Sequence, residues 1–198
     1  RKLLENFIHH LFIDLSKATL YMIQLPLNCD VTYFDHFLSE TESKQLYDLL
    51  KERITLESQI LELPNGEELI LDTPKTQFAS KALIDSGKIH EAQGEIHEIF
   101  PELEQLRIKL EELTQFELDV CVAIYYKSGL NGVDYHSDYT AFGDTSCIPS
   151  ISLGAARRFS LREIESPNNT YDVDLQNGSL IVMGENCQEL YEHALLTD

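Results

Sequence analysis

The sequence predicts a single α+β domain, and three observations carry that prediction. Apolar residues recur at spacings of three and four as far as about residue 115, the pattern of helices, and alternate at a period of two beyond it, the pattern of strands. Helices first and strands later is the order of an α+β chain and not of a doubly wound sheet. At roughly 100 to 200 residues per domain, 198 residues make one domain, and 43% hydrophobic with 25% charged residues is a globular composition.

From Leu3 to Leu15 the residues Leu3, Leu4, Phe7, Ile8, Leu11, Phe12 and Leu15 form one stripe of an amphipathic helix, expected to pack on a sheet or in a partner's groove. A second helix begins near Ser39, where Ser39 and Glu42 form an S-x-x-E capping box, and Leu46, Leu49 and Leu50 follow as its buried side. Two apolar arms between Ile60 and Leu71 flank Asn65-Gly66, the signal of a tight β-hairpin. A third helix starts at about Pro101 and presents Leu103, Leu106, Leu110 and Leu113. Leu118, Val120, Val122, Ile124 and Tyr126 then alternate with Asp119, Cys121, Ala123 and Tyr125, which predicts a long strand with one side buried. Shorter strands are expected at Ile148 to Leu153, Phe159 to Glu163, Tyr171 to Leu175 and Ser179 to Met183, divided by Gly, Pro and Asn turns.

The charge narrows the function. With 15 basic against 34 acidic residues the formal charge is −19, so the average field repels phosphate backbones and a nucleic-acid role must rest on a local basic patch. Cys29, Cys121, Cys147 and Cys187 are widely spread, with no C-x-x-C pair, and read as reduced and mostly buried. No apolar run reaches the roughly 18 residues of a membrane span, and no signal-peptide pattern opens the chain. A soluble, non-secreted monomer of the nucleus or cytoplasm is expected. Because the chain opens on Arg1 and closes on Asp198 without a cap or strand end, an incomplete sequence is expected as well.

The most informative segment is Tyr135-His136-Ser137-Asp138. Residues i and i+2 of an extended chain point to one side, so imidazole and carboxylate can converge on one ion; the bland alternative is a surface histidine beside an acid. His193 follows a second apolar strand far downstream, and a barrel can return it to the pair. Two histidines and a carboxylate occupy one face of an octahedral metal and leave positions open, as in non-haem Fe(II) oxygenases. Structural zinc prefers four closed ligands rich in cysteine, and no cysteine lies at a useful spacing from His136 or Asp138.

An ordered set of motifs from about Phe34 to His193 surrounds these residues. It runs from Phe37-Leu38-Ser39-Glu40 through Pro74-Lys75 with Phe78, and through Tyr126-Lys127-Ser128-Gly129, to Gly132-Val133-Asp134-Tyr135-His136-Ser137-Asp138. It continues with PSISLGAARRF ending at Phe159, then Arg162, then Asn177 to Met183, and closes on QELYEHAL ending at Leu195. In order and spacing this set resembles the AlkB family of Fe(II)- and 2-oxoglutarate-dependent dioxygenases, nearest to the nucleic-acid repair branch.

The resemblance implies a double-stranded β-helix, or jelly roll, buttressed by N-terminal helices, with residues 1–33 as an extension ahead of it. It implies that His136, Asp138 and His193 hold Fe(II), that 2-oxoglutarate and O2 complete the site, and that Tyr126 hydrogen-bonds the co-substrate. The implied reaction converts 2-oxoglutarate to succinate and CO2 and hydroxylates an N-methyl group on a base of single- or double-stranded nucleic acid, which then loses formaldehyde. A base must be flipped or unpaired to reach such a site. Phe78, in the segment resembling the family's nucleotide lid, is expected to stack on it. Arg158 and Arg162 share one side of a strand and are expected to meet phosphates, against the alternative of salt bridges to the many carboxylates.

The chain departs from the family at several points. Ile124 stands where an asparagine usually touches the co-substrate, and Tyr139 and Thr140 stand where acidic residues help to read the base, so Tyr139 is the expected substrate contact there. The family's final strand, with its R-x-N-x-T-x-R arginines for 2-oxoglutarate, does not follow His193. Burying the far carboxylate unpaired would cost several kcal/mol. Two further readings therefore stand beside demethylation: a 2-oxoglutarate-dependent hydroxylase or demethylase of a protein or small molecule, and a binding module with a degenerate site.

Overall fold

The computed structural model describes residues 21–62, 66–71, 73–89, 94–138 and 144–197. The stripe from Leu3 to Leu15 and the position of Tyr139 lie outside them. Two antiparallel four-stranded sheets face each other. The first has the order β1-β2-β12-β9, formed by Met22–Gln24, Val31–Phe34, Leu180–Met183 and Ile148–Ile151. The second has the order β11-β10-β13-β8, formed by Thr170–Leu175, Arg157–Glu163, Tyr191–Leu195 and Val133–His136. The chain crosses between sheets from β9 to β10, from β11 to β12 and from β12 to β13, the sheet-switching path of a jelly roll. Strands β1 and β2 are thus part of the first sheet.

Alternation along the strands divides the core in two. Val31, Tyr33, Ile181 and Met183 point between the sheets and meet Phe159, Leu161, Leu175 and Tyr191. Phe34 and Leu180 point the other way, onto a layer of helices. Helix α1 (Glu40–Arg53) carries the predicted capping box: Glu42 N–H donates to Ser39 Oγ and Ser39 N–H donates to the Glu42 carboxylate. Leu46 is buried, and Leu49 and Leu50 pack against the same cluster.

A three-stranded sheet of order β6-β5-β7 completes this layer: β5 (Lys75–Ala79), the short helix α2 (Lys81–Asp85), β6 (Glu95–Glu98) and, after helix α3 (Pro101–Thr114), β7 (Val120–Ile124). The predicted hairpin forms from β3 (Gln59–Glu62) and β4 (Glu68–Leu71), with pairing that ends at Glu62 and Glu68; the turn at 63–65 lies outside the described residues.

Two periodicity readings need correction. On α3, Leu103, Leu106 and Leu110 are buried, but Leu113 is exposed and Lys109 is buried in its stead. The Lys109 stem lies along the core, with its Nζ above the Phe37 ring and donating to the Phe37 carbonyl. On β7 the larger residues Val122 and Ile124 are exposed, whereas Cys121 and Ala123, with Leu118, face the helix layer. Hydrophobicity alone favoured the wrong side, because the register with β5 sets Cys121 beside Phe78 on the face that packs on the helices. The four cysteines are free, but only Cys187 is buried; the others are half-buried.

Candidate metal centre

Strand register brings the site together. In the pairing of β13 with β8, His193 stands directly opposite His136, and in the pairing of β10 with β13 it stands opposite Leu161. Directly opposed residues share one face of a sheet, so both imidazoles sit on the inner face beside Leu161. The ring centroids are 4.4 Å apart. Asp138, just past the end of β8, turns back so that its Oδ2 lies 3.6 Å from His193 Nε2 and its Oδ1 lies 3.8 Å from His136 Nε2. All three residues offer a ligand atom within 4.8 Å of one another.

These separations are too long for direct hydrogen bonds. They match donors that share one ion, since a first-row metal bonded at about 2 Å to each of two donors separates them by roughly 3 to 4 Å. His136 Nδ1 lies 2.8 Å from the Asp134 carbonyl, which can only accept, so Nδ1 carries the proton and Nε2 keeps its lone pair. His193 is 6% exposed and its ring stacks on Phe159 at 5.5 Å. Burial pushes its imidazole down to about 4, against the Asp138 charge and with help from His136, so the ring is neutral at neutral pH, as a ligand must be. His193 Nδ1 has no hydrogen-bond partner among the described residues, so packing, not a second hydrogen bond, sets this ring's orientation. Two imidazoles and one carboxylate are the donor set that suits Fe(II).

Three residues support the site in ways the sequence does not indicate; in the sequence Arg157 is only one of a cluster of arginines that could meet phosphates. Gln188, in the one-turn helix α4 (Cys187–Leu190), accepts the Asp138 backbone N–H at Oε1 (2.8 Å). Its amide nitrogen meets Met183 Sδ at 3.7 Å, which fixes the amide's orientation. Phe159 forms the shelf under His193. Arg157 donates to the carbonyls of Ser128 (3.2 Å), Asn131 (2.6 Å) and Leu196 (2.9 Å), and its guanidinium lies 5.7 Å from the half-buried Tyr126 ring. A buried carbonyl acceptor leaves no trace in the periodicity of a chain.

The expected substrate contacts fare differently. Phe78 is 1% exposed, edge-on to Phe100 at 5.5 Å and tilted against His97, so it is a core residue and not a stacking shelf. It lies on β5, the central strand of its sheet, whose two neighbours and helix cover leave it no open side. Arg158 and Arg162 do share one side of β10, but it is the side opposite Leu161 and His193. There Arg162 is bound to Glu192 (2.7 and 2.8 Å) and lies over the Tyr135 ring at 3.9 Å, while Arg158 faces Asp174 at 3.6 Å. On the same outer face Tyr135 donates to Ser160 (2.7 Å) and Ser160 donates to Asp172 (2.6 Å). The salt-bridge alternative is the one observed.

Comparison with known proteins gives four findings. The family model for the 2OG-Fe(II) oxygenase superfamily matches residues 30–198. An uncharacterized protein of Acanthamoeba polyphaga mimivirus is 30% identical over 88 residues, which is 44% of this chain and 46% of that protein. The alpha-ketoglutarate-dependent dioxygenase alkB homolog 3 of Mus musculus is 28% identical over 94 residues, 43% of this chain and 33% of that protein. The matched segments thus span less than half the length of these curated relatives. Among solved structures, that of OsALKBH1 superposes with a TM-score of 0.59 over 88% of both chains at 16% identity, a likeness of fold.

Proposed function

Given that this chain belongs to the 2OG-Fe(II) oxygenase superfamily, among its AlkB-like members, we propose that it is an Fe(II)- and 2-oxoglutarate-dependent oxidative demethylase of N-alkylated bases in DNA or RNA. The observation that carries this reading is the convergence of His136, Asp138 and His193 at the end of a jelly-roll sheet, within motifs ordered as in AlkB.

When bound, iron(II) with 2-oxoglutarate and O2 supplies a two-electron oxidation that turns an N-methyl group into N-hydroxymethyl, from which formaldehyde leaves, with succinate and CO2 as co-products. The chain's own residues position and protect. His136 is oriented by the Asp134 carbonyl, Asp138 by Gln188, and His193 by Phe159. Burial pushes the Tyr126 phenol up to about 12, with Arg157 pulling against it, so Tyr126 keeps its proton at neutral pH and can donate to a co-substrate carboxylate. The base is presented flipped or unpaired, because the ligands lie on the inner face of a sheet.

The assay is formaldehyde release from 1-methyladenine and 3-methylcytosine oligonucleotides by full-length protein. Release that requires both iron and 2-oxoglutarate supports the reading; none from iron-loaded protein that still turns over 2-oxoglutarate refutes it. A second reading, oxidation of a protein side chain or small molecule, is favoured by one observation: Phe78 is core and Arg162 is bound to Glu192 on the outer face. Stimulation of 2-oxoglutarate turnover by peptides and not by methylated oligonucleotides would select it.

A further inference from the structure

Away from the metal ligands, we infer that Cys29 and Cys187 form a peroxide-responsive dithiol that closes to a disulfide. The backbone brings them together. Asp30 N–H donates to the Glu185 carbonyl (3.1 Å), and Gly184 N–H donates to the Asp30 carbonyl (2.7 Å), fastening the loop between β1 and β2 to the turn before α4. The approach is close: a Cβ at Gly184 would stand 2.7 Å from Asp30 Oδ2 and 3.1 Å from Asp30 Cβ, so a larger residue would push the Asp30 side chain aside. Cys29 then packs against the core cluster that holds the buried Cys187, and the two thiols are near enough to perturb one another. Both are free, Cys187 is 1% exposed, and Cys29 is half-exposed and so open to a small oxidant.

The pair is chemically asymmetric. The hydrogen bond from Cys187 holds the Cys29 thiol below its ordinary value, outweighing burial and the Asp30 charge. The same contact, with burial, holds Cys187 above its own. Cys29 is therefore the nucleophile and Cys187 the proton-bearing partner. Cys121, pushed up to about 11 by burial, has no such activation.

The reaction balances with one peroxide. The Cys29 thiolate attacks a peroxide oxygen, the O–O bond breaks, and the departing hydroxide takes a proton to become water, leaving Cys29 as a sulfenic acid. The Cys187 sulfur attacks the Cys29 sulfur, the S–S bond forms, the S–O bond breaks, and the second oxygen leaves as water with the Cys187 proton. Two thiols lose two electrons and one peroxide becomes two waters. The bond would tie the β1–β2 loop to α4, which carries Gln188 and continues directly into β13 with His193.

The test is peroxide titration of the full chain, alkylation of the remaining thiols, and peptide mapping. The expected result is one new cross-link joining the Cys29 and Cys187 peptides, reversed by dithiothreitol, lost in Cys29→Ala and Cys187→Ser, and kept in Cys121→Ser and Cys147→Ser. Cys187 is buried, so its replacement can disturb folding; the half-exposed Cys29→Ala and the untouched wild type decide the matter. In reduced wild type, iodoacetamide is expected to reach Cys29 at least about tenfold faster than Cys121. Peroxide that drives Cys29 to sulfinic acid without a cross-link overturns the inference, as do equal alkylation rates at the two cysteines.

Discussion

Replacing Gln188 with leucine removes the acceptor that holds Asp138 while keeping nearly the same volume. The bond is a 2.8 Å contact between a side-chain carbonyl and a backbone N–H. Such a bond contributes about 1 kcal/mol net, and more only where its loss strands a buried group. The bond is only part-buried and the Asp138 side chain is 37% exposed, so the larger penalty of a stranded buried group is not expected. A loss of about 1 kcal/mol is roughly a fivefold rise in metal Kd, near the tenfold lower bound usual for outer partners of metal ligands. Calorimetric titration with Co(II), a redox-stable stand-in for Fe(II), reads this directly, with a thermal melt to establish that the fold is intact. Gln188→Glu keeps an oxygen in place and adds a negative charge, so it is expected to bind Co(II) at least as tightly as wild type. A leucine variant that binds like wild type would show that Asp138 is held without Gln188. Equal weakening in both variants would assign the effect to helix α4 and not to the hydrogen bond.

Phe78→Leu is expected to cost about 1 to 2 kcal/mol of stability in denaturant titration and to leave the KM for any oligonucleotide substrate unchanged, as befits a core ring. Arg162→Ala breaks a half-buried pair with Glu192 and a stack on Tyr135, and is expected to lower stability by about 1 kcal/mol without weakening oligonucleotide affinity. Burial pushes Lys109 below its ordinary value, with Glu42 pulling the other way. The folded chain therefore holds that proton less tightly than the unfolded chain, and stability rises with pH in the window just under the ordinary lysine value of about 10.4. Lys109→Met is expected to flatten that slope and to raise stability at neutral pH by about 1 kcal/mol, measured as unfolding free energy against pH.

The parts of this molecule legible in its sequence are those governed by local rules. Ser39 and Glu42 foretold a helix start because a capping box is complete within four residues. His136 and Asp138 announced themselves because a spacing of two on an extended chain needs nothing distant to bring them together. His193 was legible only as a histidine just past an apolar strand that a barrel could return to the pair, since the register that sets it beside His136 is a long-range fact. The readings that failed depend on what lies across a gap. Which face of β7 is buried follows from its register with β5 beneath the helices, and whether Arg162 is available follows from Glu192 on the adjacent strand. Phe78 failed for the same reason: a strand-borne aromatic at a motif position looks alike in the sequence whether its neighbours leave it open or cover it.

The placement of the cations also fixes how nucleic acid could be bound. Each described arginine already has an occupant: Arg53 lies over Phe100, Arg107 holds Glu104 and Glu111, Arg157 holds backbone carbonyls, Arg158 faces Asp174, and Arg162 holds Glu192. Lys44 and Lys81 pair within their own helices with Asp48 and Asp85. The remaining exposed lysines among the described residues, Lys51, Lys88 and Lys127, sit on separate segments of the fold, so a nucleic-acid strand bound here would be held mainly through the base and by neutral donors, with few phosphates neutralised. Counterion release then predicts a shallow salt dependence: with at most about two phosphate contacts, the slope of log K against log salt for a single strand is about −1.5 or shallower. Fluorescence anisotropy with a methylated oligonucleotide across a salt series measures it. A slope steeper than about −4 would require a cationic groove that the described residues do not form, and would refute this account of how such a substrate is held.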